Sequence, residues 1–265
     1  MKAVTGVFRS KSDAQRCLED LKSLGLRDDR ITLLTPGSEK EVQSELQSVP
    51  AVAGEQPGMG KAVGAVVGAS AGLSGLPLIV ALVPGVGPIA ALGLLGGAVL
   101  AAAGAGIGAL AGEKLENAMT EGIPEDELFV YEDALRKGRC VVVTLAKDEN
   151  EASRVRELLK AAGAEAVDAA REQWWIGLRD VEREHYSKSG KNFSKDEKFF
   201  RLGFQAALHA RMRCQEYDQV LAEMSVQIEE LERQYPGTEV ADAFTRGYQR
   251  GREHYQEMCN ESKAA

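Results

Sequence analysis

Residues 62–112 contain no charged, histidine or amide side chain, and this run of 51 residues limits what the chain can become more than any other feature. So long an apolar stretch has to be hidden from water, either in lipid or inside protein. Pro84-Gly85-Val86-Gly87-Pro88 divides it, and Pro-Gly pairs signal turns. The halves, 62–83 and 89–112, hold 22 and 24 residues. About 20 helical residues cross a hydrocarbon core of about 30 Å, so the lengths predict a two-helix hairpin.

The glycines in this run are ordered. Gly60, Gly64, Gly68 and Gly72 stand four apart, as do Gly93 and Gly97, and then Gly104, Gly108 and Gly112. In water each would weaken a helix by up to about 1 kcal/mol relative to alanine. In lipid, small residues at this spacing instead let two helices approach closely. The pattern therefore predicts a glycine zipper, with these nine glycines as packing and oligomerisation positions and the bilayer as a partner. Lys61 and Lys114 flank the run while the turn is uncharged. That asymmetry places both termini on the cytoplasmic side of an inner membrane. Ten aliphatic residues (Val, Leu, Ile) in the first half and eight in the second make each half a marginal span by itself. The alternative is a cytoplasmic, soluble self-assembling or ligand-sensing protein with the hairpin buried between subunits.

On either side of the insertion lie two halves of one α+β domain. Residues 3–9 and 31–35 read as strands, and Ala14, Cys17, Leu18, Leu21 and Leu24 between them mark an amphipathic helix that Gly25 ends. After the run, 139–146 is β-branched, and Ala152, Val155, Leu158 and Leu159 share a helical face before Gly163; 165–170 is the expected last strand. Two β-α-β units predict a ferredoxin-like, four-stranded antiparallel sheet with two helices on one face. The expected organisation is a first half at 1–36, a linker at 37–61 and the glycine-zipper hairpin at 62–112. Connecting helices at 113–137, a second half at 138–171 and an all-helical region at 172–265 follow.

That last region carries a heptad-like seam, Tyr217, Leu221, Met224, Ile228, Leu231 and Tyr235, closed by Pro236-Gly237. It also repeats itself. Phe200-Arg201-Leu202-Gly203-Phe204 returns 44 positions later as Phe244-Thr245-Arg246-Gly247-Tyr248. Repeats bury one another's faces, so Phe200, Gly203, Phe204, Phe244, Gly247 and Tyr248 are expected as packing anchors where helices cross.

The chemistry of known sites is missing from the sequence. A net charge of -8 argues against nucleic acid, whose binders carry a basic stripe. The four cysteines form no C-x-x-C pair, and the N-terminal stretch has no apolar core of the kind export requires. Glu182-x-x-His185 has the spacing of half a carboxylate di-iron site, but Gly251 stands where His254 would need a glutamate. There is no G-x-S-x-G or phosphate loop. No catalytic residue, metal or cofactor is expected. The expected partners are the bilayer, further copies of the chain and proteins whose nature the sequence leaves open.

Val7-Phe8, the helix 14–24 with Gly25, Ile31-Thr32-Leu33-Leu34, the glycine zipper and the strand 141–145 together resemble a bacterial general stress protein 17M-like, or heat-induced stress protein-like, domain. The tail is similar to an aromatic-x-x-Gly-aromatic repeat of stress-associated bacterial proteins. This resemblance implies a stress-response role and transfers no active-site residue. The expected function is thus a non-catalytic, membrane-associated stress scaffold that oligomerises through its hairpin.

Overall fold

The computed structural model describes residues 1–37, 70–71, 77–83, 86–93, 95–96, 99–100, 125–209, 212 and 217–264. They form a mixed α+β structure in two compact units, the first of 1–124 with 130–171 and the second of 125–129 with 172–265.

The first unit is built on one antiparallel sheet. Its strands are β1 (Lys2–Phe8), β2 (Ile31–Pro36), β3 (Ser70–Ala71), β4 (Pro77–Val83), β5 (Gly87–Leu92), β6 (Cys140–Ala146) and β7 (Glu165–Ala166). They lie side by side in the order β3-β4-β5-β2-β6-β1-β7. Lys2 pairs with Ala146 and Phe8 with Cys140, while Ile31 pairs with Thr144 and Leu34 with Val141. The two halves of the domain are thus interleaved at the centre of the sheet.

Helices α1 (Lys11–Ser23) and α3 (Glu149–Ala161) pack on one face, while α2 (Leu128–Arg136) precedes β6. Ala14, Cys17, Leu18 and Leu21 of α1 meet Ala152, Val155 and Leu159 of α3 over Val4, Phe8, Ile31, Leu33, Cys140 and Val142. The opposite face is closed too: Thr32, Leu34, Val141, Val143 and Leu145 are at most 1% exposed. This explains why β6 is apolar at every position but Thr144 rather than alternating.

Local sequence sets the ends of these helices. Gly25 and Gly163 take positive φ, 98° and 87°, where a left-handed residue stops each helix and lets the next amide bond back. Asp148 caps α3 by accepting from Glu151 N at 2.8 Å, and the Glu151 carboxylate reaches back to Lys147 N at 2.7 Å. Gly6 has no room for a side chain, since a Cβ there would lie 2.8 Å from Ala164 Cβ.

The insertion requires a correction. Its described central part is a β-hairpin, not the turn of two helices: β4 pairs with β5 from Leu78↔Leu92 to Val83↔Gly87. Val86 N closes the turn on Val83 O at 3.1 Å, and β5 continues the sheet from β2. The Pro84-Gly85 signal marked the reversal correctly, but 77–83 is a glycine-free, β-branched stretch opening with proline, which suits an extended edge. On one side its backbone pairs with β5, as that of a strand does. Among the described residues no helix is long and apolar enough to cross a membrane. The expected transmembrane helices, the bilayer partner and the inner-membrane location are therefore set aside.

In the second unit, the long helices among the described residues are α4 (Val167–Ser187, here from Glu172), α5 (Phe193–Leu208), α6 (Tyr217–Gln234) and α7 (Val240–Ala264). The pairing of α5 with α7 is by far the most extensive.

Candidate functional site: the helix crossing and polar joint of the tail

At the α5–α7 crossing the two glycine motifs meet reciprocally. A Cβ on Gly203 would fall on the carbonyl oxygen of Phe244, and one on Gly247 would fall on the carbonyl oxygen of Phe200. Gly251 continues the seam, where a Cβ would lie 2.8 Å from that of Ala207. The two backbones touch with no side chain between them.

The aromatic partners of each motif turn the other way. Phe200 and Phe204 face α4, with Trp175–Phe204 and Tyr186–Phe200 ring centroids 6.0 and 5.1 Å apart in edge-on geometry. Phe244 and Tyr248 instead join Val220 and Met224 of α6. All six predicted anchors are thus brought to one crossing. Of the predicted zipper glycines only Gly93 is described. It ends β5 with a φ of 122°, and a Cβ there would strike Ile31 O, so it permits a strand approach rather than a helix ridge. Gly60, Gly64, Gly68, Gly72, Gly97, Gly104, Gly108 and Gly112 lie outside the described residues.

Polar groups thread this aromatic core. Glu197 accepts from Trp175 Nε1 at 3.0 Å and from Arg179 Nε and Nη2 at 2.6 and 2.7 Å. The Arg179 guanidinium holds its carboxyl below the usual range. Tyr186 donates to Asp196 Oδ2 at 2.8 Å, and burial, then that carboxylate, push the phenol upward.

Glu182 is only 1% exposed and accepts one hydrogen bond, from Arg250 Nε at 3.0 Å. Burial raises its carboxyl, against the lowering pull of Arg250. Arg250 also reaches Glu257 at 3.2 Å and Glu253 at 3.5 Å. A cleft of about 120 Å³ opens beside this pair, lined among others by His185, Tyr186, Phe200, Arg246 and Glu253.

The arrangement is that of a joint. Glu197 is held by Arg179 and Asp196 by Tyr186, and Glu182 of the Glu-x-x-His spacing is committed to Arg250. Among the described residues no group of three or more His, Cys, Asp or Glu side chains is placed to hold a metal. Cys17 and Cys140 are sealed in the α/β core, where burial pushes Cys17 up to about 12 and Cys140 in the same direction. Such thiols are poor nucleophiles at neutral pH.

Sequence reasoning missed the two ionic joints. A signal existed: Trp175, Arg179, Glu182 and Tyr186 follow a 4-3-4 spacing, which puts two charged residues on the inward face of α4. Comparison with family models, curated proteins and solved structures finds no match to this chain.

Proposed function

We propose that this chain is a non-catalytic, self-assembling protein whose apolar hairpin lies between subunits. We further assign its α/β unit to the ferredoxin-like plan. The strand order β2-β6-β1-β7, antiparallel throughout, with α1 and α3 on one face supports that assignment.

The observation that carries the assembly reading is the outer edge of β4. Among the described residues, β4 is paired on that side only at Pro77 and Leu78, by the two-residue β3. The next five residues, Ile79, Val80, Ala81, Leu82 and Val83, are all aliphatic and carry no charge, proline or bulge to block strand addition. An apolar edge without such guards is a template for pairing with another chain. The resemblance of the first 170 residues to stress-protein domains adds a stress-linked setting to this reading.

The test is the mass of the full chain by sedimentation, for the natural protein and for Ile79→Lys. An assembly that Ile79→Lys reduces to monomer, with the circular dichroism spectrum retained, fits the reading. A natural protein that is monomeric at high micromolar concentration sinks it.

A further inference from the structure

The polar joint of the tail has a property that a merely structural ion pair lacks. Glu182 on α4 is closed off from solvent, yet its carboxylate has a single hydrogen-bond donor, Arg250 Nε of α7. An ionised carboxylate in so dry a place ordinarily needs two or three donors. The cation that bonds it is shared, because Arg250 Nη1 also faces Glu253 and Glu257, all on α7. Three carboxylates around one guanidinium leave negative charge in surplus, and only Glu182 among them is buried.

The other titratable groups facing the joint are few. His185 sits one turn further along α4 at the mouth of the cleft, and Tyr186 beside it is tied to Asp196 of α5. Arg246, one turn before Arg250, is engaged by Asp242 at 2.9 Å. The apolar ring of Phe200 supplies the α5 wall of the cleft. None of these supplies Glu182 with a second donor. The cleft gives solvent, and so protons, a path to the rim of the pair.

We propose that the Glu182–Arg250 contact is a proton-responsive joint between α4 and α7, which tightens when Glu182 takes up a proton in mildly acidic medium and loosens as the pH rises. As a neutral acid Glu182 sheds the penalty of a buried, under-bonded charge while still accepting from Arg250. The guanidinium charge is then shared by Glu253 and Glu257 alone. The inference concerns the tail and stands apart from the assembly reading.

Amide hydrogen exchange of α4 residues 178–186, corrected for intrinsic rates, tests it on the full chain between pH 5.5 and 8. Protection in the natural protein is expected to fall at least threefold across that range. In Glu182→Gln, the permanent mimic of the neutral acid, it stays level, at or above the natural protein's value at pH 8. The same slope in both proteins, or no slope in the natural one, overturns the proposal. Should the variant fail to fold, the ¹³C titration of the Glu182 carboxyl in the natural protein decides. A midpoint above the ordinary carboxylate range supports the joint, and one within or below that range refutes it.

Discussion

The α/β unit and the helical tail solve the same packing problem with different residues. In the sheet unit, β-branched and aliphatic side chains fill the space, and its described glycines mainly serve turns, helix ends and close strand contacts. In the tail, glycines remove side chains so that two helix backbones can touch, and aromatic rings spread outward to cover the rest. The first solution spreads its risk over many interchangeable contacts. The second concentrates it at two carbonyl oxygens.

Their arginine-bound carboxylates, Glu151 and Glu197 partly buried and Glu182 fully so, teach a related lesson. Glu151 in the sheet unit accepts from Arg30 Nη1 at 2.6 Å, Arg30 Nη2 at 3.4 Å and Lys147 N at 2.7 Å, and the Arg30 hydrogen bond leads in holding its carboxyl low. Glu197 in the tail likewise has three donors and is lowered. Glu182 has an arginine but one donor, and is raised. All three have an arginine; burial leads for Glu182 and arginine hydrogen bonds lead for the other two, so depth of burial set against the hydrogen bonds received decides the direction.

The contrast yields four predictions in descending size. Gly203→Ala forces α5 and α7 apart against backbone and is expected to cost the tail about 3 kcal/mol or more, the upper range of overpacking effects. Gly247→Ala should match it. Both tryptophans, Trp174 and Trp175, belong to the tail, so their fluorescence during urea unfolding reads this unit directly. An unchanged midpoint for either variant would break the account of the crossing.

Glu197→Gln comes next, at about 1.5–3 kcal/mol near neutral pH, because three hydrogen bonds to a charged acceptor are weakened together. The same fluorescence transition measures it.

The third prediction concerns pH. The contributions of Glu151 and Glu197, both depressed, are complete above the ordinary carboxylate value and are lost as pH falls through their folded values. That of Glu182, raised, is complete below the ordinary value and is lost as pH rises through its folded one. Exchange of β6 amides should therefore quicken only in acid. Exchange along α4 should change in the mildly acidic to neutral range as well, and identical profiles for the two elements would remove the distinction.

The smallest effect is a control. Gly177 lies on α4 with nothing within 4 Å of its missing Cβ, so Gly177→Ala should stabilise the tail by up to about 1 kcal/mol through helix propensity. A loss like that of Gly203→Ala would mean that glycine content, rather than backbone contact, governs the tail.

Much of this was readable in the chain itself. The periodicity of Ala14, Cys17, Leu18 and Leu21 announced α1, and the β-branched 139–146 stretch announced a strand. The repeated aromatic-x-x-Gly-aromatic element pointed to the crossing, because repeats bury one another's faces. The hairpin was misread because length and hydropathy measure how much must be hidden and not where the backbone finds its partners. Residues 77–83 found theirs in β5, whose own neighbour β2 lies far back in the sequence. The Glu182–Arg250 joint was hidden for a similar reason, since its members stand 68 positions apart and the Glu-x-x-His spacing of Glu182 pointed to metal chemistry instead.

The interleaving of β1 and β6 sets a timetable for synthesis. Lys2 cannot meet Ala146 until nearly 150 residues have been made. Closing so wide a loop costs about 2 kcal/mol more than closing one of ten residues. The apolar run 62–112 emerges during that wait, at roughly 5–20 residues per second, so it is exposed for several seconds before its sheet exists. In a nascent chain of this design, the period of greatest danger precedes the first native contact between the two halves of the domain.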